Sequence, residues 1–391
     1  MMTTIPAAKP ARPNFSCGPT VKHPGWSLKN LENAPFGRSH RSGIGKSKLK
    51  LAIDLTREVL QVPADYRIGI IPGSDTGAVE AALWSLLGQR GVDVIAWEAF
   101  SEHWVIDVVE QLQLKNTRSM VADYGEIVDL SSLNFDNDVV FAWNGTTAGV
   151  SVQNGDFIPA DRKGLTICDA TSAAFGQKLD WAKLDVVTFS WQKVLGGEAA
   201  HGMLILGPRA VERLETYTPA WPIPKLFRLT HQGKLIESIF EGETINTPSM
   251  LCVEDYIDAL NWAKSIGGLD ALTRRVSANS KALSDWVERT PWIDFLAADP
   301  AIRSNTSICL KIIDPAVVAR GRRGEAEFAN EMVSFLAEQG AAYDIGSYRD
   351  APPGLRIWCG ATVDASDLTA LTRWLDYAYA MVKGAFMDEA A

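Results

Sequence analysis

Two residues set the chemistry to look for. Asp169 closes an apolar run at 165–168, and Lys193 follows the next run, 186–190, in the segment Ser190-Trp191-Gln192-Lys193. If these runs are neighbouring parallel strands, the amine and the carboxylate emerge at one sheet edge, where α/β folds collect ligands. A third feature is Gly73-Ser74-Asp75-Thr76-Gly77, which links an apolar run to a helical one. Backbone N–H groups at such a helix start cradle phosphate, and Ser74 and Thr76 add hydroxyl donors. A lysine that condenses with an aldehyde, a carboxylate that keeps a pyridine nitrogen protonated and a phosphate cradle are what pyridoxal 5'-phosphate (PLP) asks of a protein. Each feature has a plain reading too: a strand-end aspartate, a surface lysine and an ordinary helix cap.

The elements that must hold these groups follow from the apolar rhythm. Short apolar runs at 68–71, 92–97, 119–122, 139–143, 165–168, 186–190 and 203–206 are separated by longer stretches, of which 76–87 and 103–114 have helical spacing. Continuous apolar strands between helices predict a mostly parallel sheet covered on both faces. The loops starting at Pro72, Asn144, Asp169 and Trp191 then lie at its carboxyl edge. After about residue 250 come helical patterns at 253–265 and 269–290, a strand at 307–313, a helix at 325–339, a strand at 355–359 and a helix at 365–382. The expected division is a flexible leader (1–13), a large ligand-binding domain (14–260) and a smaller α/β domain (261–391).

Composition narrows the class. The 391 residues exceed one typical core, and a net charge of -9 argues against a general nucleic-acid binder. Cys17, Cys168, Cys252, Cys309 and Cys359 are scattered and form no CxxC pair, which predicts neither a metal site nor disulfides and fits a reducing compartment. The start, MMTTIPAAKPARP, lacks the apolar core of a signal peptide, and no run is long enough to span a bilayer. The expectation is a soluble cytoplasmic protein.

With these residues in view, the chain resembles the class V aminotransferases of PLP fold type I, and within them an outlying branch of the phosphoserine aminotransferase family. The resemblance rests on Asn14-Phe15-Ser16-Cys17-Gly18-Pro19, Ser39-His40-Arg41-Ser42, the Asp169 and Lys193 pair, Asn246-Thr247-Pro248-Ser249 and Gly354-Leu355-Arg356. It implies a homodimer that transaminates 3-phosphooxypyruvate with glutamate to phosphoserine and 2-oxoglutarate in serine biosynthesis. It extends to the phosphorylated four-carbon keto acid of pyridoxine biosynthesis. By the same resemblance Lys193 is the Schiff-base lysine and Asp169 the partner of the ring nitrogen. Trp104 stacks on the ring, and Thr146 meets its 3-oxygen. Asp75, Thr76 and Gln192 surround the phosphate, and Asn246 and Thr247 reach the phosphate in the neighbouring subunit. Arg356 clamps the α-carboxylate, while His40 and Arg41 meet the distal anion. One departure concerns that anion: where the family keeps a His-Arg pair, this chain has Tyr348-Arg349.

Other readings stay in view. Within the fold these are a transaminase of alanine–glyoxylate or serine–pyruvate type, and a cysteine desulfurase, which needs a reactive cysteine on a mobile loop. His103 is a second stacking candidate beside Trp104. Gly43-Ile44-Gly45-Lys46-Ser47 imitates a phosphate loop but has His40 where the first glycine belongs.

Overall fold

The computed structural model describes residues 4–388. Seven strands form the main sheet: β1 (Arg67–Pro72), β2 (Val92–Ala96), β3 (Thr117–Val121), β4 (Asp138–Ala142), β5 (Thr166–Asp169), β6 (Val186–Ser190) and β7 (His201–Leu206). Their order is β1-β7-β6-β5-β4-β2-β3, and only β7 runs antiparallel to its neighbours. The carboxyl ends of β1, β4, β5 and β6 therefore share one edge, at which β7 begins.

Alternation along the strands feeds two cores. Ile68, Ile70, Val139, Phe141, Val187, Phe189, Met203 and Ile205 face one apolar cluster, while Ile71, Val140, Val186, Leu204 and Leu206 face the other. Both faces are thus covered, as the unbroken apolar runs require. The first cluster takes in α1 (Gly43–Leu60), and the second α2 (Ser74–Leu86) and α4 (Pro208–Thr216), with α3 (Ala99–Ile106) following β2.

The chain then leaves the sheet through α5 (Met250–Ser265), which packs on α1, and α6 (Gly268–Val287). Three antiparallel strands follow, β8 (Ile293–Phe295), β9 (Ser307–Ile312) and β10 (Leu355–Trp358), with α7 (Gly321–Glu338) between the last two and α8 (Ala365–Asp388) at the end. The apolar cluster on the α1 face continues without a break through α5 and α6 into this second sheet.

The structure differs from the sequence reading in three places. Helix α1 was not anticipated, yet Leu49, Ala52, Ile53, Thr56, Val59 and Leu60 form its buried stripe and the Ser42 side chain caps it, accepting from Gly45 N. The helix expected at 103–114 starts at Ala99, because the Glu98 carboxylate caps it by accepting from Ser101 N, and it passes into a π-turn at Asp107–Gln111. Of the expected flexible leader, residues 1–3 lie outside the described residues. The rest is tied to the second unit: Ala11 N donates to Asp367, Trp374 Nε1 donates to the Ala8 carbonyl, and the Lys9 ammonium lies 5.4 Å from the Trp374 ring.

One buried ion pair fixes α4 to the sheet. Arg213 donates to both carboxylate oxygens of Asp138 at 2.9 and 3.1 Å and to the Leu86 carbonyl at 2.9 Å, and both side chains are buried. Arg213→Met keeps the apolar stem but leaves Asp138 buried without its cation. Removing one partner of such a pair costs about 3–5 kcal/mol. Urea unfolding should register this as a lower midpoint at unchanged slope; a loss below about 1 kcal/mol would place the pair among those that add nothing measurable.

Candidate active site

The shared strand edge opens into a cavity of about 270 Å³. Its wall contains Ser74, Asp75, Thr76, His103, Trp104, Thr146, Asp169, Gln192 and Lys193, nine residues given candidate roles from sequence, together with Gly18, Glu98, Phe100, Asn144, Thr171 and Ser172. Register explains the meeting. Asp169 ends β5 between Ala142 of β4 and Thr188 of β6, and Lys193 follows β6 directly.

Lys193 is buried, and its Nζ donates to the Cys17 carbonyl at 2.5 Å. Burial lowers its pKa from the usual lysine value; the nearby Arg356 charge pushes the same way, against the opposing pull of Cys17, Glu98 and Asp169. Gly18 is the neighbour that makes this possible. Its φ is +152°, and a Cβ there would stand 2.3 Å from Lys193 Nζ.

Three carboxyl groups line the same cavity. Asp169 accepts from Thr171 N at 2.9 Å through Oδ1 and from Trp104 Nε1 at 3.2 Å through Oδ2. Glu98 is fully buried and accepts from Ser101 N at 2.9 Å and Thr147 Oγ1 at 2.7 Å; burial raises its pKa, and those bonds partly offset the rise. Asp75 lies in the first turn of α2, where a helix N-terminus favours an anion by about 0.3–1 kcal/mol. Uncompensated burial costs several kcal/mol per ion and outweighs that. Burial first, and then the charge of Asp169, push the Asp75 carboxyl well above the carboxylate range.

The phosphate-loop expectation needs one refinement. Gly73 N and Ser74 N both donate to the Ala200 carbonyl at 3.2 Å, and Gly77 N bonds Gly73 O. Asp75 N and Thr76 N are the N–H groups of this turn left open to a ligand. The turn is tight, with Ser74 at φ +54°, and a Cβ at Gly77 would lie 1.9 Å from the Pro72 carbonyl.

Other sequence candidates lie outside the cavity wall. His40 is half-buried, and Arg41, Asn246 and Thr247 are exposed. Arg349 is exposed and paired with Asp350 at 3.1 Å. Arg356 stands closer: its guanidinium lies 5.6 Å from the Tyr348 ring, which in turn is 5.3 Å from Phe100 of the wall, and its buried Nε has no partner. Trp104, expected as a ring platform, also gives its N–H to Asp169. Gly18 was visible in the sequence only as part of the opening motif, and nothing in the sequence marked Glu98. Cys309 and Cys359 are buried, and burial pushes both thiols up, which does not suit a reactive thiolate.

His201, which sequence reading left without a role, joins two of these pieces. It pairs with Pro72 at the start of β7, its ring lies 4.8 Å from that of Trp191, and its Nε2 accepts from Ser249 N at 3.2 Å. Burial lowers its pKa from 6.5 to about 4. The unfolded chain therefore takes up a proton near pH 6.5 that the folded chain refuses until about pH 4, so stability falls as pH drops through that window. His201→Gln retains an acceptor for Ser249 N and removes the titration. Its unfolding free energy should fall less steeply than that of the wild type between these pH values, by no more than about 3 kcal/mol in total. Parallel curves would mean that the fold leaves the His201 pKa where it is in the unfolded chain.

No family model matches the chain. The phosphoserine aminotransferase of Methanosarcina mazei is 56% identical over 378 residues, 97% of this chain and all of the relative. Among solved structures, a phosphoserine aminotransferase from Cytophaga hutchinsonii superposes with a TM-score of 0.80 at 19% identity, covering 93% of this chain and 98% of that one. The PLP-bound phosphoserine aminotransferase from Trichomonas vaginalis does so with a TM-score of 0.74 at 18% identity, covering 93% and 99%. The two structures establish the fold as that of the PLP-dependent aminotransferases of type I. From the extent and level of the sequence identity, the chain belongs to the phosphoserine aminotransferase family.

Proposed function

We propose that this chain is a PLP-dependent transaminase that reversibly converts 3-phosphooxypyruvate and L-glutamate into O-phospho-L-serine and 2-oxoglutarate, the amino-transfer step of L-serine biosynthesis. The observation that carries the reading is the meeting of Lys193 and Asp169 in one cavity whose third side is the open N-terminus of α2. The residues present fit the cofactor. The free N–H groups of Asp75 and Thr76, the hydroxyls of Ser74 and Thr76 and the Gln192 amide suit its phosphate. Asp169 suits the ring nitrogen, Thr146 the 3-oxygen and Trp104 a ring face. When bound, the cofactor supplies an aldehyde and a ring that accepts electrons from the substrate α-carbon.

The chain does the rest. Burial favours the neutral, nucleophilic form of Lys193, and the freed amine then moves the proton at the substrate α-carbon. Asp169 holds the proton on the ring nitrogen. Arg356 takes the α-carboxylate through its guanidinium fork. His40 and Arg41 take the distal anion, with Arg349 the weaker contributor because Asp350 already pairs with it. The phosphorylated four-carbon keto acid of pyridoxine biosynthesis carries the same two anions and belongs to the same substrate class.

The same reading makes the protein a cytoplasmic homodimer, with a large domain at 14–260 and a smaller one at 261–391. No described helix is long and apolar enough to cross a membrane. Asn246 and Thr247 are exposed and lie outside the wall of their own cavity, which suits residues that serve the phosphate of a second copy.

Lys193→Ala should abolish transamination and the borohydride-reducible adduct while the fold persists. Mixed with an inactive Thr247→Arg protein, it should regain activity, because each hybrid dimer gathers both defects in one site and spares the other. Sedimentation as a monomer at assay concentration, or no recovery on mixing, would remove the shared site.

Substrate choice should rest on Arg41. Hydrogen bonds to charged groups contribute about 1.5–3 kcal/mol. Arg41→Ala should therefore lower kcat/KM for phosphoserine roughly ten- to a hundredfold and for alanine very little. Arg356→Ala should impair both, since both carry the α-carboxylate. A wild-type preference for alanine or serine over phosphoserine would transfer the assignment to the transaminases of unphosphorylated substrates.

A further inference from the structure

The carboxyl of Asp75 has no role in the chemistry above, yet it is buried in the wall of the cavity. The groups facing it come from two neighbouring strands and one loop: Asp169 at the end of β5, Thr171 beyond it and Thr188 on β6. Asp75 Oδ1, Thr171 Oγ1 and Thr188 Oγ1 are buried and none finds a partner within hydrogen-bond distance, so the two hydroxyls, which favour the ionised form of Asp75, offset its burial and the charge of Asp169 only in part. Two ionised carboxylates side by side can only accept, and they repel each other. A proton between them turns an acceptor into a donor and removes one of the two charges. Asp169 already receives Thr171 N on one oxygen and Trp104 Nε1 on the other, so a free lone pair remains for a third donor.

We infer that Asp75 is a positioning residue: it stays a neutral carboxylic acid and donates its proton in a hydrogen bond to Asp169, fixing that carboxylate from behind. This rests on the reading that Asp169 meets the ring nitrogen of PLP. A carboxylate that already accepts three hydrogen bonds is a weaker base than a bare one, so Asp75 also sets how tightly the ring nitrogen keeps its proton. The phosphate expected at Asp75 N and Thr76 N adds negative charge nearby and favours the neutral acid further.

The test pairs Asp75→Asn, a near-isosteric change whose amide still donates, with Asp75→Val, which cannot donate. Difference infrared spectra are recorded on the purified protein before and after PLP addition. The wild type should carry a deuterium-sensitive carbonyl band of a neutral carboxylic acid that is missing from Asp75→Asn. In protein loaded with ring-15N PLP, Asp75→Asn should keep the wild-type nitrogen signal. Asp75→Val should shift that signal from its wild-type position and lose roughly tenfold in kcat with little change in KM. Either of two results overturns the proposal: no acid band lost from wild type to Asp75→Asn, or Asp75→Asn as impaired as Asp75→Val. The infrared arm on the cofactor-free protein decides the proton on Asp75 by itself. Failure of borohydride to label Lys193 in the wild type would sink the PLP reading instead, so the two failures are separable.

Discussion

An amine held out of water is the constraint around which this site is arranged. Charged lysine resists burial, and relaxation leaves a penalty of several kcal/mol even in real proteins. Lys193 is nevertheless enclosed, between the Cys17 carbonyl that accepts from it and the Phe100 ring 5.9 Å away. A nucleophilic amine must shed its proton near neutral pH, so the desolvation that costs stability also supplies reactivity. The backbone at Gly18 approaches because no side chain stands there, and the strand order brings Asp169 to the same edge. The large sheet, buried on both faces, is the rigid support that keeps this arrangement from relaxing into water.

The surroundings balance charge locally against the acidity of the whole chain. Asp75, Glu98 and Asp169 oppose Lys193 and the nearby Arg356. Each carboxyl is handled differently. Glu98 is satisfied by Ser101 and Thr147, and so joins α3 to the loop after β4. Asp169 is oriented by Thr171 and Trp104. Asp75 has only the Thr171 and Thr188 hydroxyls to set against burial and the charge of Asp169, which is why it stands apart electrostatically. Networks of this kind are high-stakes in a low dielectric: complete ones rigidify, and gaps point to a missing proton or ligand.

The anion end of the site shows how strain and backbone accounting work together. Ser74 adopts a left-handed conformation that costs roughly 1 kcal/mol or more in a non-glycine residue. The turn this permits directs Gly73 N and Ser74 N to Ala200 and leaves the next two N–H groups open. His201, one residue beyond Ala200, pairs with Pro72 and accepts from Ser249, so the segment after Asn246-Thr247 is anchored to the strand that leads into this turn. A buried neutral imidazole suits that task, because it accepts without bringing a cation into competition with the ligand cradle.

Much of this was legible in the residues. Apolar runs between helical stretches reveal a covered parallel sheet because burial on both faces forbids polar alternation. Asp169 and Lys193 could be paired because strand ends are marked by where those runs stop. Lys46, Lys48 and Lys50 interrupt the apolar stripe of α1 in the sequence, and only packing against α5, whose buried Glu254 pairs with Lys48, shows which face counts. Gly18, Glu98 and His201 could not be assigned from sequence, because each acts on a group far away in the chain. The approach of Gly18 to Lys193, the facing of Asp75 and Asp169, and the anchoring of Ser249 by His201 are contacts between segments. Sequence order fixes which groups are available at each strand end. Distances between them arise only when the strands take their order in the sheet and desolvation makes each neighbour's charge felt.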